Sequence, residues 1–318
     1  MAGPGQVTPR ISWPDGKQFA FSVFDDTDLS VPGNFEGVYE LLGSLGMRTT
    51  KSVWAATGPD LQQRSAHGST CDDADYLRTV LRLQQSGFEI AYHNSYYEGL
   101  PRARIEEAFE RFKLLFGSYP QAAANHAESS EGIYWGYDRL SGLVRSLYRV
   151  ILRRFGANPH QGHIPQSPYF WGDLCQQRVR YVRNFVFGDI NTLAACPFMP
   201  YYDPLRPYVQ AWFAASNGQI LPDCWKLLTE RNQDRLEASG GACILYTHFG
   251  SGFQQGHTVE QRFAQLIRRI AGKNGWFVPV STLLDHIRSQ RGVVTLTSAQ
   301  RHRLEWRWFA HKLVAGST

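Results

Sequence analysis

The stretch Phe19 to Asp28 reads FAFSVFDDTD. Phe19, Ala20, Phe21, Ser22, Val23 and Phe24 form a near-continuous apolar run rich in strand formers, the pattern of a strand covered on both faces. It stops at Asp25 and Asp26, with Asp28 close behind. Adjacent carboxylates repel each other and must lose water together unless a cation or a proton is shared between them. The end of this strand is therefore expected to hold a metal or an acid–base site.

The same grammar recurs along the chain. FEIAY (Phe88 to Tyr92) runs into His93, QAAAN (Gln121 to Asn125) into His126, and ACILYT (Ala242 to Thr247) into His248. Short apolar runs that each end at a titratable or metal-capable side chain predict parallel strands delivering chemistry from one end. A barrel of alternating strands and helices builds its site there, from the loops that follow the strands. Helical periodicity and punctuation place helices over Asn34 to Gly46, Asp72 to Gln85, Pro101 to Phe116, Tyr137 to Phe155, Pro222 to Ala238 and Val259 to Ala271. A further helix, capped by Ser281, is expected to end near Arg288. Thr49 to Ala55 and Trp276 to Val280 read as additional strands, and Ala56 to Thr70 as a polar loop.

The expected organisation is one α/β barrel domain spanning 1–318, with an insertion over 156–218 and a C-terminal helix over 298–314. The insertion is rich in Pro, Gly and aromatics, with one strand-like run from Arg180 to Phe187. A connection of that length is usually functional or disordered, and this composition argues against disorder. Its aromatics, Trp171 and Tyr202 among them, are expected to stack on sugar faces at a rim or to pack a secondary core.

Hydrophobic content of 43% and aromatic content of 14% belong to a packed globular protein. The net charge of +5 is spread over 33 basic and 28 acidic residues. Basic clusters at Arg153-Arg154, Arg178 to Arg183 and Arg301 to Arg307, and the arginines of the Tyr137 to Phe155 helix, read as solvated faces. A nucleic-acid partner is therefore not expected. Five dispersed cysteines without zinc spacing read as reduced core thiols. No apolar run reaches the length of a membrane span or a signal segment, so a cytoplasmic protein is expected.

Phe24-Asp25-Asp26, Gly87 to His93 (GFEIAYH) and Leu245 to His248 (LYTH), in that order and at wide spacing, resemble the first, second and last motifs of the polysaccharide deacetylases of carbohydrate esterase family 4. The resemblance implies a distorted (β/α) barrel and a metal-dependent hydrolase that removes an N-acetyl or other acyl group from an amino sugar or glycan precursor. It implies a divalent metal, zinc first, with cobalt or nickel as alternatives. By resemblance Asp25 is the general base, Asp26 and His93 are metal ligands, and His248 is the general acid. Tyr97 stands where the family has a second ligand histidine, Thr27 where it has glycine, and the third motif is not visible. His126 is expected to replace the missing ligand, with Asp28 as the second candidate. Tyr97, Trp171, Arg183 and Tyr202 are expected substrate contacts, and Arg183 or Asp189, at the end of the Arg180 to Phe187 run, is a further candidate for orienting the base.

A protein without a signal segment would meet an intracellular glycan precursor or a lipid-linked one. A deformylase of a lipid-linked amino sugar is a close variant. Two other classes stay open: a glycan-binding barrel that has lost its metal, and a glycosidase pairing Asp25 with Glu128 or Asp189. His67, His257, His286, His302 and His311 are expected to face solvent, and His160 and His163 to approach substrate.

Overall fold

The computed structural model describes residues 11–56, 67–153 and 160–315. Most of the expected Ala56 to Thr70 loop lies outside them, as does the end of the helix expected to reach Phe155. Strand β1 is Phe19–Asp25, and all seven of its residues are buried, which is why its run is nearly all apolar up to Asp25. β2 (Thr50–Val53), β3 (Glu89–Tyr92), β4 (Ala122–Ala123) and β5 (Tyr181–Phe187) follow. β6 is Tyr201–Tyr202, β7 is Ala211–Asn217 and β8 is Ala242–Thr247.

Parallel pairing runs β1, β2, β3, β4, β5, β7, β8 and back to β1, closing a barrel. The seam between β1 and β8 is in register from Ala20 opposite Ala242 to Asp25 opposite Thr247. β1 divides its other edge: Phe19 to Phe21 pair with Gly275 to Phe277, while Phe24 and Asp25 pair with Thr50 and Lys51. The barrel is thus distorted where β1 serves two neighbours. Outside it, β6 runs antiparallel to β7 and pairs with Val294 and Thr295.

The segment expected as an insertion supplies two of the barrel strands, β5 and β7. Trp171 packs within the core, 6.2 Å from Tyr92 and 5.7 Å from Phe109 between ring centroids, with its indole N–H donated to the Glu131 carbonyl. Tyr202 pairs through its backbone with Thr295 and does not line the main cavity. The two aromatics expected at a rim therefore serve the fold.

Helices cover the outside. In Glu36–Ser44, Val38, Tyr39, Leu41 and Leu42 turn inward. Asp73 caps Ala74–Gln85 by accepting from the backbone of Asp75 and Tyr76. Gly117, at φ 84°, ends Arg102–Phe116 in the left-handed conformation that glycine adopts without penalty. The helix expected over Pro222 to Ala238 is two, Leu221–Leu227 and Glu230–Ser239, the second capped by Thr229. Val280–Arg291 starts behind Pro279 without a side-chain cap, so Ser281 does not cap it. Ser298–Ala315 packs beside Gly142–Arg153, with the Tyr148 ring 5.2 Å from Trp308. All five cysteines are buried and free.

Replacing Trp171 by Ala removes a buried indole and one hydrogen bond, and is expected to lower unfolding free energy by about 3–5 kcal/mol. A rim aromatic would cost within about 0.5 kcal/mol. Denaturant unfolding of the variant distinguishes the two.

Candidate metal centre and its cavity

The carboxyl ends of the barrel strands converge on one cavity of about 520 Å³. Asp26, Asp28, His93, His126 and His248 all line it, together with Tyr97 and Arg183. Asp25 does not. Its carboxylate is fully buried, accepting from the Tyr39 hydroxyl at 2.9 Å and the Phe249 backbone N–H at 2.8 Å, with the Lys51 ammonium at 3.1 Å. Burial pushes the Asp25 carboxyl above its ordinary pKa, and Lys51 opposes that rise. This carboxylate joins β1 to β2 and to the loop after β8.

Asp26 is held differently. Arg183, from β5, donates to both of its oxygens at 2.7 and 2.5 Å, a bidentate pair that fixes the plane of the carboxylate. Burial would raise its pKa, but Arg183 and then His93 outweigh burial and hold it ionised. Its Oδ2 lies 3.7 Å from His93 Nε2 and 4.0 Å from His248 Nε2.

Asp28 is the hub of the histidines. Its Oδ2 is 2.9 Å from His93 Nε2 and 3.5 Å from His248 Nε2, and its Oδ1 is 2.6 Å from His126 Nε2. Burial opposes its ionisation, yet His93 and His126 hold its pKa well below the ordinary value. His126 and His248 are shifted upward in turn, because Asp28 outweighs the burial that would lower them.

Two of the imidazoles are oriented from behind. His126 Nδ1 faces the Tyr97 carbonyl at 3.0 Å and His248 Nδ1 faces the Gln219 carbonyl at 3.2 Å. A ring that donates from Nδ1 to a carbonyl keeps Nε2 free as a base or ligand, the usual arrangement behind a metal site. One carboxylate oxygen and two imidazole nitrogens, from Asp28, His93 and His126, lie within 4.8 Å of one another, as do ligand atoms of Asp26, Asp28 and His248. Both groups have the donor chemistry of a divalent cation such as zinc. In the first, no lysine or arginine of the described residues pairs with Asp28 and the ligand atoms meet imidazoles and carboxylates that a cation could bridge; in the second, Arg183 already engages both Asp26 oxygens. Asp28, His93 and His126 are the better fit.

Tyr97 orients this site, with its ring 3.8 Å from His67 and 4.5 Å from His126 and its hydroxyl donated to Glu128. Thr27 spends its hydroxyl on Tyr76, at 2.6 Å, which gives a side chain a function where glycine was the family pattern. A Cβ on Gly250 would lie 2.5 Å from the backbone of Leu29 and Ser30, so the loops after β1 and β8 meet with no room between them. Of the two histidines expected near substrate, His160 lines the cavity and His163 does not. Burial holds the His160 imidazole down at about 4. Asp189 also lies off the cavity, 3.1 Å from Arg235.

Four residues escaped sequence reading. Lys51 and Glu131 brace the site, and Arg139 and Lys312 line its cavity. The buried Glu131 carboxylate accepts the backbone N–H groups of Ser95 and Leu100, tying the loop after β3 to the loop after β4. A lysine in the middle of the strand read over Thr49 to Ala55 was the available signal for Lys51; the others carried none.

Lys51→Met should leave Asp25 buried without its cation and lower unfolding free energy by about 3 kcal/mol at neutral pH. Asp25→Asn/Lys51→Met should recover most of that loss. Without Lys51 the folded pKa of Asp25 rises further above its unfolded value, so the penalty appears above pH ~4 and fades below it, where both states are protonated. Urea titrations at several pH values measure it, and a neutral single variant would show that the pair does not hold the carboxylate.

No protein-family model and no curated protein matches the sequence. Solved structures do match. One described as a polysaccharide deacetylase from Mycobacterium smegmatis aligns over 91% of this chain and 96% of its own, at 15% identity and a TM-score of 0.50. An allantoinase, Puue, aligns over 91% and 97% at 12% identity with the same TM-score. The peptidoglycan deacetylase PdaC from Bacillus subtilis aligns over 93% and 100% at 13% identity and a TM-score of 0.41. At such identities the likeness is one of fold: the chain shares the distorted (β/α) barrel of the first two structures.

Proposed function

We propose that this chain is a metal-dependent hydrolase that removes an N-acetyl or other acyl group from an amino sugar or glycan precursor. The observation that carries this reading is the convergence of Asp28, His93 and His126 beside an Asp26 locked by Arg183, all on one cavity. Asp28, His93 and His126 would hold a divalent cation, zinc first, in place of the expected set of Asp26, His93 and His126. Such a cation supplies Lewis acidity toward the acyl carbonyl and makes a water nucleophilic near neutral pH.

The chain's own residues do the rest. Asp26 is the general base, in place of Asp25: it stays ionised, faces the cavity and is aimed by two hydrogen bonds from Arg183. His248 is the general acid toward the leaving amine. Asp28 and burial set its protonation, and the Gln219 carbonyl sets its orientation. Tyr97 positions His126 and closes one wall, and Arg183 acts on substrate only through Asp26. The names of the two structures at TM-score 0.50, a deacetylase and an allantoinase, both denote acyl transfer to water, which supports the reaction class.

The described residues contain no helix long and apolar enough to cross a membrane, which is compatible with either a free or a lipid-linked acylated sugar as substrate.

Metal content of the purified protein tests this reading. Near one equivalent is expected in the wild type and in Asp26→Asn and His248→Gln, and far less in Asp28→Ala, His93→Ala and His126→Ala. Release of acetate or formate from acylated amino sugars should fall about 10²–10⁴-fold in Asp26→Asn and His248→Gln with metal retained. A wild type that takes up neither zinc nor cobalt on reloading would sink the hydrolase and leave a glycan-binding barrel as the better account.

A further inference from the structure

The same cavity has a second charged wall that the hydrolytic chemistry does not use. Arg139, from the single turn Gly136–Arg139, and Lys312, from the helix Ser298–Ala315, both line it. Neither belongs to a barrel strand. Their relative exposures are 6% and 9%, so both are buried beside the substrate space.

Arg139 is the more telling of the two. Trp135 covers one approach to its guanidinium, with the ring centroid 3.5 Å away, and Trp308 lies at 5.0 Å. One terminal nitrogen donates to the Asn184 carbonyl at 3.4 Å, and Nε has no partner. The other buried arginines of the described residues each meet a carboxylate: Arg183 meets Asp26, Arg206 meets Asp203 and Glu305, and Arg301 meets Asp203. Arg139 has none within ion-pair distance among those residues. Lys312 Nζ sits 5.7 Å over the Trp308 ring. Burial and then the charge of Arg139 push the Lys312 ammonium down to about 7, and burial pushes Arg139 down to about 10.

A buried cation costs several kcal/mol unless an opposite charge or good hydrogen bonds offset it. Aromatic faces offset part of that cost. They also leave the guanidinium edge as the direction for further bonding, which suits a planar or tetrahedral oxyanion. The barrel's own acids are already committed, Asp25 to Lys51, Asp26 to Arg183 and Asp28 to the histidines. The negative charge that Arg139 lacks is one an occupant of the cavity would bring.

We propose that Arg139, with Lys312 on the same wall of the cavity, forms a subsite for an anionic group, a phosphate ester or a carboxylate, carried by the acylated substrate. The proposal rests on the hydrolase reading for the word substrate. The binding it describes does not depend on turnover. It narrows the substrate class from acylated amino sugars in general to those bearing an oxyanion, and it gives the C-terminal helix a direct part in recognition.

Calorimetric titration of the full-length protein, zinc-loaded and metal-stripped, tests it with N-acetylglucosamine 1-phosphate, N-acetylmuramic acid and neutral N-acetylglucosamine as probes. At least one anionic sugar should bind ten-fold or more tightly than the neutral one in both forms of the protein. Arg139→Met should remove that margin while zinc content stays at the wild-type value, and Arg139→Lys should restore part of it. Lys312→Met, which leaves the Trp135 and Trp308 stacking in place, should reduce the margin even if Arg139→Met proves poorly folded. A margin confined to the phosphate, or to the carboxylate, identifies the oxyanion. Anionic preference without metal uptake or hydrolysis would uphold the subsite and overturn the hydrolase. Equal binding of neutral and anionic sugars, or a margin that survives both Arg139→Met and Lys312→Met, would overturn the subsite whether or not the protein hydrolyses them.

Discussion

Three carboxylates leave water within four residues at the end of β1, and the upper half of the barrel is arranged to make that tolerable. Asp25, Asp26 and Asp28 each find a different compensation, and each compensation comes from a different strand or the loop beyond it. Lys51 in β2 meets Asp25, Arg183 in β5 meets Asp26, and the histidines that follow β3, β4 and β8 surround Asp28. Isolated burial of any one would cost several kcal/mol. Closing the barrel and assembling the site are therefore a single event: the strands that complete the wall also deliver the charges that the first strand needs.

That division also sorts the three acids by role. Asp25 is fixed to a lysine at 3.1 Å, with a hydroxyl and a backbone N–H filling its remaining acceptor positions. Asp26 is fixed to an arginine yet lines the cavity, so it is oriented and still reachable. Asp28 alone is matched only to imidazoles, which are charged or neutral according to pH. The acid with no permanent cation is the one placed to take a mobile one.

How much of this was legible follows from what a strand pattern encodes. β1 ends its apolar run at Asp25, β3 and β8 bring a histidine directly after and β4 brings one close behind, so the barrel and its working end could be read from the strand pattern. β7, AWFAASN, ends at Asn217 and delivers no titratable group, and so it passed for part of an insertion. Which of Asp25 and Asp26 faces the cavity could not be read. Successive side chains alternate faces on a strand, and where the last pleat falls is decided by the neighbours Lys51 and Arg183, far away in sequence. Arg139 and Arg183 sat in stretches whose basic residues read as solvated faces, and both are buried. Charge alone does not say whether an arginine meets water, a carboxylate or a ligand.

The histidines around Asp28 add a last constraint. The Asp28 carboxylate draws protons onto His126 and His248, raising both against a burial that would lower them. A cation held by Asp28, His93 and His126 must displace the proton from His126 Nε2, since a ligating imidazole nitrogen is unprotonated. Proton and cation would therefore compete for the same place beside the buried carboxylate, and either would satisfy it. The fold can then form before a cation arrives without stranding Asp28, because imidazolium serves in its place. His248 stands outside that exchange. Its Nε2 reaches Asp28 at 3.5 Å but belongs to a group that Arg183 disfavours as a metal site, so it can keep its proton when the cation binds. One carboxylate thus organises three imidazoles and would hold the proposed cation among them, which is why its position, more than any single histidine, sets what the cavity can do.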